Sequence, residues 1–205
     1  AAPQGVGGSL YSSLPAAQNP QDARALVEKS AAAVGVDPKT AMTTVAMESG
    51  FRTSVKASTS SATGLYQFTK GTWQDMITKH GKEYGIPSGT GPEDPRANAL
   101  LGARYLKNNL SKNGGGMEEA YLMHFLGPTG GKRAIAMKDD ANMAQAFPSF
   151  VSNNKPTFLN PDGSPRTKAQ FMEAIRARIT KTAKDFGIPL PELGGGAGGA
   201  RPNAN

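Results

Sequence analysis

The sequence predicts a mainly α-helical protein: one helical domain, a C-terminal helical extension and at most a very small β element. Three observations carry this expectation. Apolar residues between about 21 and 190 recur at spacings of three and four, the period of one helix face. Helix start and stop signals, such as Asp37-Pro38 and Gly35, punctuate those stretches. Clean apolar/polar alternation is scarce, and GLYQF (64–68) is the best short strand candidate.

Taken in order, residues 1–20 (AAPQGVGGSLYSSLPAAQNP) are small, polar and Pro/Gly-rich, and are expected to form a flexible linker. QDARALVEKSAAAV (21–34) is an Ala-rich helix that stops at Gly35. Asp37 followed by Pro38 is an N-cap and first-turn signal, opening a helix through about Ser49. Thr72 to about Lys82 forms another amphipathic helix. In DPRANALLGARYLKNNL (94–110), Ala99, Ala103, Leu106 and Leu110 fall on one stripe. EEAYLMHFL (118–126) reads as a short buried helix. The Pro/Asn-rich stretch 147–166 is a connection, and TKAQ (167–170) fits a capping box before Phe171, Ile175 and Ile179. GGGAGGARPNAN, from Gly194, ends the chain as a Gly-rich stretch. The expected organisation is a linker (1–20), a domain (21–145), an extension with a terminal helix packing on the domain (146–190) and a flexible tail (191–205).

Composition narrows the function. The formal net charge is +7, which favours anionic partners. The cations are scattered, and no basic block is interleaved with aromatics, so a nucleic-acid partner is not expected. With no cysteine, disulfide scaffolds, Cys-ligated metals and thiol catalysis are excluded together. No apolar run approaches the roughly 18 residues that a membrane span needs. No metal or cofactor is expected.

The most informative acid is Glu48, in MESGFRT (47–53). It lies three residues after Val45 and seven after Ala41, so its side chain leans toward the apolar face of its helix. It also occupies the last turn, where the macrodipole is negative. Both features disfavour the charged form, which is the condition a general acid requires. A solvated glutamate beside a glycine turn is the plainer reading of the same residue. Downstream, SSATGLYQF (60–68) places Gly64, which permits a tight turn, before Gln67, whose amide offers a donor and an acceptor suited to sugar hydroxyl and acetamido groups.

Glu48-Ser49-Gly50-Phe51, then Ser58, then Gly64-Leu65-Tyr66-Gln67-Phe68 resembles the catalytic core of the soluble lytic transglycosylases, the goose-lysozyme-like part of the lysozyme superfamily. The likeness covers roughly residues 21–138. Tyr66 stands where the family usually has Met, in a sugar-contacting position. The family's third block, Ala-Tyr-Asn-x-Gly-Pro, corresponds to EAYLMHFLGPTGG (119–131) less closely. Aligned on Gly127-Pro128, His124 takes the tyrosine's place; aligned on Ala120-Tyr121, the tyrosine is kept at the expense of a three-residue insertion. Tyr121 and His124 are one helical turn apart, so either is a candidate to orient Glu48.

The resemblance implies a lysozyme-like fold and cleavage of the β-1,4 bond between N-acetylmuramic acid and N-acetylglucosamine in peptidoglycan strands. Glu48 would serve as acid and then base, with Ser58, Gly64, Leu65, Tyr66, Gln67, Tyr121 and His124 around the substrate. The muramic 6-hydroxyl would close a 1,6-anhydro ring, a scheme that needs one protein carboxylate where ordinary glycosidases need two. Asp75, Glu83, Glu93, Asp94, Glu118 and Glu119 read as caps and solvated faces. The alternatives are a hydrolytic lysozyme that uses one of these as a second acid, or a catalytically reduced wall-binding module. Stretches similar to 139–190 follow such domains in phage tail and in flagellar or secretion proteins. The expected setting is therefore a virion or the periplasm and cell wall, with other proteins of a larger assembly as partners.

Overall fold

The computed structural model describes residues 9–56, 61–113 and 116–194, and Ser58 lies outside them. The chain divides into two compact units, Ala1–Asn108 and Asn109–Asn205.

In the first unit the linker expected over residues 1–20 gives way from Ser9 onward. Ser9 caps a single helical turn, α1 (Leu10–Ser13), and Leu14 is buried. The Tyr11 hydroxyl donates to Asp94 Oδ2 at 2.9 Å, and Arg96 Nε donates to the Pro15 carbonyl at 3.3 Å, fastening this stretch to the start of α5 (Pro95–Asn113). One apolar side chain and two polar anchors are signals too sparse to show against a Pro/Ser-rich background.

Helix α2 (Pro20–Val34) starts at the Asn19 cap and stops at Gly35, whose φ of +84° closes the last turn. Helix α3 (Pro38–Glu48) starts at Asp37, packs on α2 and is buried on nearly every side from Thr40 to Ala46. Threonines tolerate that burial because their hydroxyls bond back to the helix, Thr43 to the Lys39 carbonyl at 2.8 Å and Thr44 to that of Thr40 at 2.9 Å. Helix α4 (Lys70–Tyr84) is capped by Thr69 and ends at Gly85. On α5, Ala99, Ala103 and Leu106 of the expected stripe are buried, and Leu110 is half-buried. GLYQF is not a strand. Thr63 and Phe68 form an antiparallel bridge, and residues 64–67 are the turn between them. Gly64 (φ +80°) and Gln67 (φ +50°) are both left-handed, a conformation that a strand excludes.

The second unit contains α6 (Met117–Phe125), α7 (Gly127–Ala136), the short turns α8 (Met143–Ala146), α9 (Pro148–Val151) and α10 (Lys155–Phe158), and α11 (Lys168–Asp185). Helix α7 was not expected, because GPTGG is a poor helix former. It persists because Gly131 lets α7 lie against the α6 backbone, where an added Cβ would come within 2.9 Å of Leu122 and Met123. The connection over 147–166 holds an aromatic cluster, in which Phe158 meets Phe171 at 5.0 Å and Phe125 at 6.1 Å between ring centres. The Thr167–Gln170 capping box is present at the start of α11. Of the expected tail, residues 191–194 lie along α6: the Glu192 and Leu193 carbonyls accept from Met117 N and Glu118 N at 2.9 and 3.0 Å. They replace the side-chain cap that Gly116 cannot provide. The remainder, 195–205, is outside the described residues.

Candidate active site

Glu48 is the last residue of α3 and is half-buried. The backbone turns sharply after it. Ser49 N donates to the Val45 carbonyl at 2.9 Å, and Gly50 (φ +59°) and Phe51 (φ +63°) follow in consecutive left-handed conformations. For Phe51 this costs about 1–2 kcal/mol, the penalty for an L-residue with a Cβ. Burial offsets the strain: Phe51 is 2% exposed, and Arg24 lies over its ring at 5.7 Å. Arg52 closes the loop, its backbone N and side-chain Nε donating to the Ser49 carbonyl at 3.2 and 2.9 Å. A strained, buried hinge thus fixes the direction in which the chain leaves Glu48.

Seven residues beyond Glu48, the carbonyl of Val55 joins this loop to the Gly64–Gln67 turn. It accepts from Gly64 N and from Gln67 Nε2, both at 3.0 Å. Gln67 Nε2 also donates to the Gly64 carbonyl at 2.8 Å. Both amide protons of Gln67 are therefore committed, and the group it can offer a substrate is its carbonyl oxygen.

The other side of the turn is held by Asn98 of α5, which is 0% exposed. Its Oδ1 accepts from Tyr66 N at 2.9 Å, and its Nδ2 donates to the carbonyls of Pro92 at 2.7 Å and Thr63 at 3.2 Å. Gly64 is required for this approach, since a Cβ there would stand 2.5 Å from the Pro92 oxygen and strike Asn98 Nδ2. Leu65 and Tyr66 point inward at 0% and 5% exposure. Gly102 makes room for the Tyr66 ring, and burial raises the Tyr66 pKa. In this conformation these two side chains shape the turn rather than face a ligand.

In the second unit, Tyr121 and His124 both lie on α6, Tyr121 buried and His124 half-buried in the last turn. The Tyr121 ring stacks on Phe125, with centres 5.6 Å apart. Its hydroxyl oxygen accepts from Arg178 Nη1 at 3.0 Å. On the same helix, Glu118 is paired with Arg176 at 2.5 Å. Glu119 keeps one carboxylate oxygen buried with no hydrogen-bond partner among the described residues. Burial, and then the neighbouring Glu118, raise the Glu119 pKa. Among the described residues no group of three or more His, Cys, Asp or Glu is placed to hold a metal ion. No helix among them is long and apolar enough to cross a membrane.

The model of the transglycosylase SLT domain matches residues 25–146, more than half of the chain, a span that includes Glu48, the Gly64–Gln67 turn, Asn98 and α6 but not α11. The chain belongs to the transglycosylase SLT domain family. Its fold is similar to that of an inactive mutant of the lytic transglycosylase Slt from Pseudomonas aeruginosa, with a TM-score of 0.53 and 18% sequence identity. That match covers 81% of this chain and 24% of the other, so this SLT-domain chain spans about a quarter of that relative's length.

Two residues, Asn98 within the SLT-domain match and Arg178 beyond it, escaped sequence reasoning. Asn98 sits in DPRANALL, where an asparagine in the first turn of a helix reads as a cap. Arg178 sits on a helix face that reads as solvated. The retrievable signal was at Asn98, an amide inside the otherwise apolar run 97–101.

Proposed function

We propose that the protein is a peptidoglycan lytic transglycosylase, cleaving the bond between N-acetylmuramic acid and N-acetylglucosamine with 1,6-anhydro ring formation. The observation that carries this reading is the SLT-domain match over residues 25–146, which includes Glu48 at the end of α3 and the Gly64–Gln67 turn tied to its exit loop. Glu48 donates its proton to the leaving glycosidic oxygen, then takes the proton of the muramic 6-hydroxyl as that oxygen attacks the anomeric carbon. The proton count closes on one carboxyl group. Gln67 offers its carbonyl oxygen to a sugar N–H or O–H. Ser58 is a further candidate substrate contact, and Gly64, Leu65 and Tyr66 keep the turn in shape. From the third motif, Tyr121 and His124, one helical turn apart on α6, are the two candidate substrate contacts.

The test is mass analysis of muropeptides released from purified peptidoglycan. Anhydro-muramic products from wild type, and none from Glu48→Gln, are expected. Reducing ends in place of anhydro ends would overturn the reading.

A second, hydrolytic reading takes Glu119 as the second carboxyl group, since one of its oxygens is buried with no hydrogen-bond partner among the described residues. It predicts reducing ends, and their loss in Glu119→Gln.

As for setting, the same proposal places the activity in the cell wall or periplasm, brought there by a virion or an envelope machine. Its support is the loose likeness of 139–190 to segments in such proteins, and its test is the chain's detection in purified virions or envelope complexes.

A further inference from the structure

Helix α11 lies outside residues 25–146 and yet grips the helix that carries the third motif. Arg176 pairs with Glu118, which is 1% exposed. Two residues on, Arg178 Nη1 donates to the Tyr121 hydroxyl oxygen at 3.0 Å, and its guanidinium carbon stands 5.8 Å from the centre of the Tyr121 ring.

A guanidinium has donors only, so in this contact the phenolic oxygen must be the acceptor. The hydroxyl proton is then directed to some other acceptor. A phenol without such a partner rotates and can present either lone pair or proton. A charged donor on its oxygen, with the ring stacked on Phe125, removes that freedom. The positive charge also strengthens the O–H as a donor, since successive hydrogen bonds polarise one another.

We propose that Arg178 is a positioning residue for glycan cleavage: it fixes the Tyr121 hydroxyl as a hydrogen-bond donor toward the bound glycan. This rests on the reading above that Tyr121 belongs to the site. Arg178 is exposed on its outer side, and replacing it leaves the α11 core positions Phe171, Ile175 and Ile179 untouched. In this protein the extension therefore completes the machinery that the SLT-domain residues begin.

The test uses the full chain and soluble glycan strands, following anhydro-muropeptide release with thermal unfolding alongside. The variants are Arg178→Ala, Arg178→Lys, Tyr121→Phe, the Arg178→Ala/Tyr121→Phe double and Glu48→Gln. Arg178→Ala is expected to lower kcat about tenfold, as loss of one charge-assisted hydrogen bond would, while KM moves less than about twofold and Tm holds. Arg178→Lys recovers most of the rate. In the Tyr121→Phe background, Arg178→Ala changes kcat by less than about twofold, because the oxygen through which it acts is gone. Equal losses in both backgrounds, an effect on KM alone, or wild-type kcat in Arg178→Ala overturns the inference. If Glu48→Gln is as active as wild type, the functional reading itself fails and takes this inference with it. A dead Glu48→Gln beside a fully active Arg178→Ala overturns the inference alone.

Discussion

Replacing Asn98 by alanine should destabilise the protein by about 2–6 kcal/mol and reduce glycan cleavage in step. The magnitude follows from what the side chain holds. Its removal leaves Tyr66 N–H without an acceptor and the Pro92 carbonyl without a donor, each at about 1–3 kcal/mol when buried. The Thr63 carbonyl adds little, since it still accepts from Phe68 N at 3.1 Å. At roughly 2–4 °C per kcal/mol for a chain of this size, Tm falls by at least about 4 °C. Asn98→Asp separates donor from acceptor. It keeps an oxygen for Tyr66 N but turns a carboxylate toward two carbonyl oxygens, so it should be at least as damaging as alanine. Urea unfolding of both variants, beside muropeptide release, measures this. An alanine variant within about 1 kcal/mol of wild type, or an aspartate variant more stable than the alanine one, would refute the reasoning.

Other outcomes follow from the same contacts. Tyr66→Phe removes a buried hydroxyl that has no hydrogen-bond partner among the described residues, so Tm should hold or rise; a fall worth more than about 1 kcal/mol would count against this. Tyr11, Tyr66 and Tyr84 have raised pKa values, each first through burial, so the native state holds protons that the unfolded state releases. Stability should be unaffected below the ordinary tyrosine value near 10 and decline as pH climbs past it, with Tyr66 phenolate absorbance emerging only on unfolding. Arg176→Ala strands the buried Glu118 carboxylate and should cost about 1–3 kcal/mol, reduced from a fully buried pair because Arg176 is half exposed; Glu118→Gln in that background should recover part of it in a urea titration. The raised pKa of Glu119 has the opposite consequence to a salt-bridged acid: its penalty is absent in acid and grows as pH rises through its folded value. Glu119→Gln should therefore flatten the fall in stability from acid toward neutral pH, as read by Tm against pH.

Much of the helical architecture was legible because caps and glycine stops are local chemistry. Asp37 and Thr167 and the stop at Gly35 act within one turn of where they stand. The end of α3 at Glu48 was legible for the same reason, since Gly50 follows it by two residues. The Gly64–Gln67 turn was misread as a strand because its aromatic content mimics strand propensity, while the feature that forbids a strand is a tertiary one. Asn98, which follows Gln67 by 31 residues, occupies the space a Cβ would need and holds the backbone left-handed. Helix α7 was missed because its glycines argue against a helix locally and make sense only once α6 lies on them. Arg178 was unreadable because a cation on an exposed helix face looks the same whether it faces water or a tyrosine hydroxyl.

On the proposed mechanism Glu48 is the single acid and base of an anhydro-forming cleavage. Mass analysis of muropeptides from purified peptidoglycan treated with wild type and with Glu48→Gln tests it most directly. The expected result is 1,6-anhydro-muramic ends from the wild type and none from Glu48→Gln. Reducing ends from the wild type, or equal release by both proteins, would contradict it.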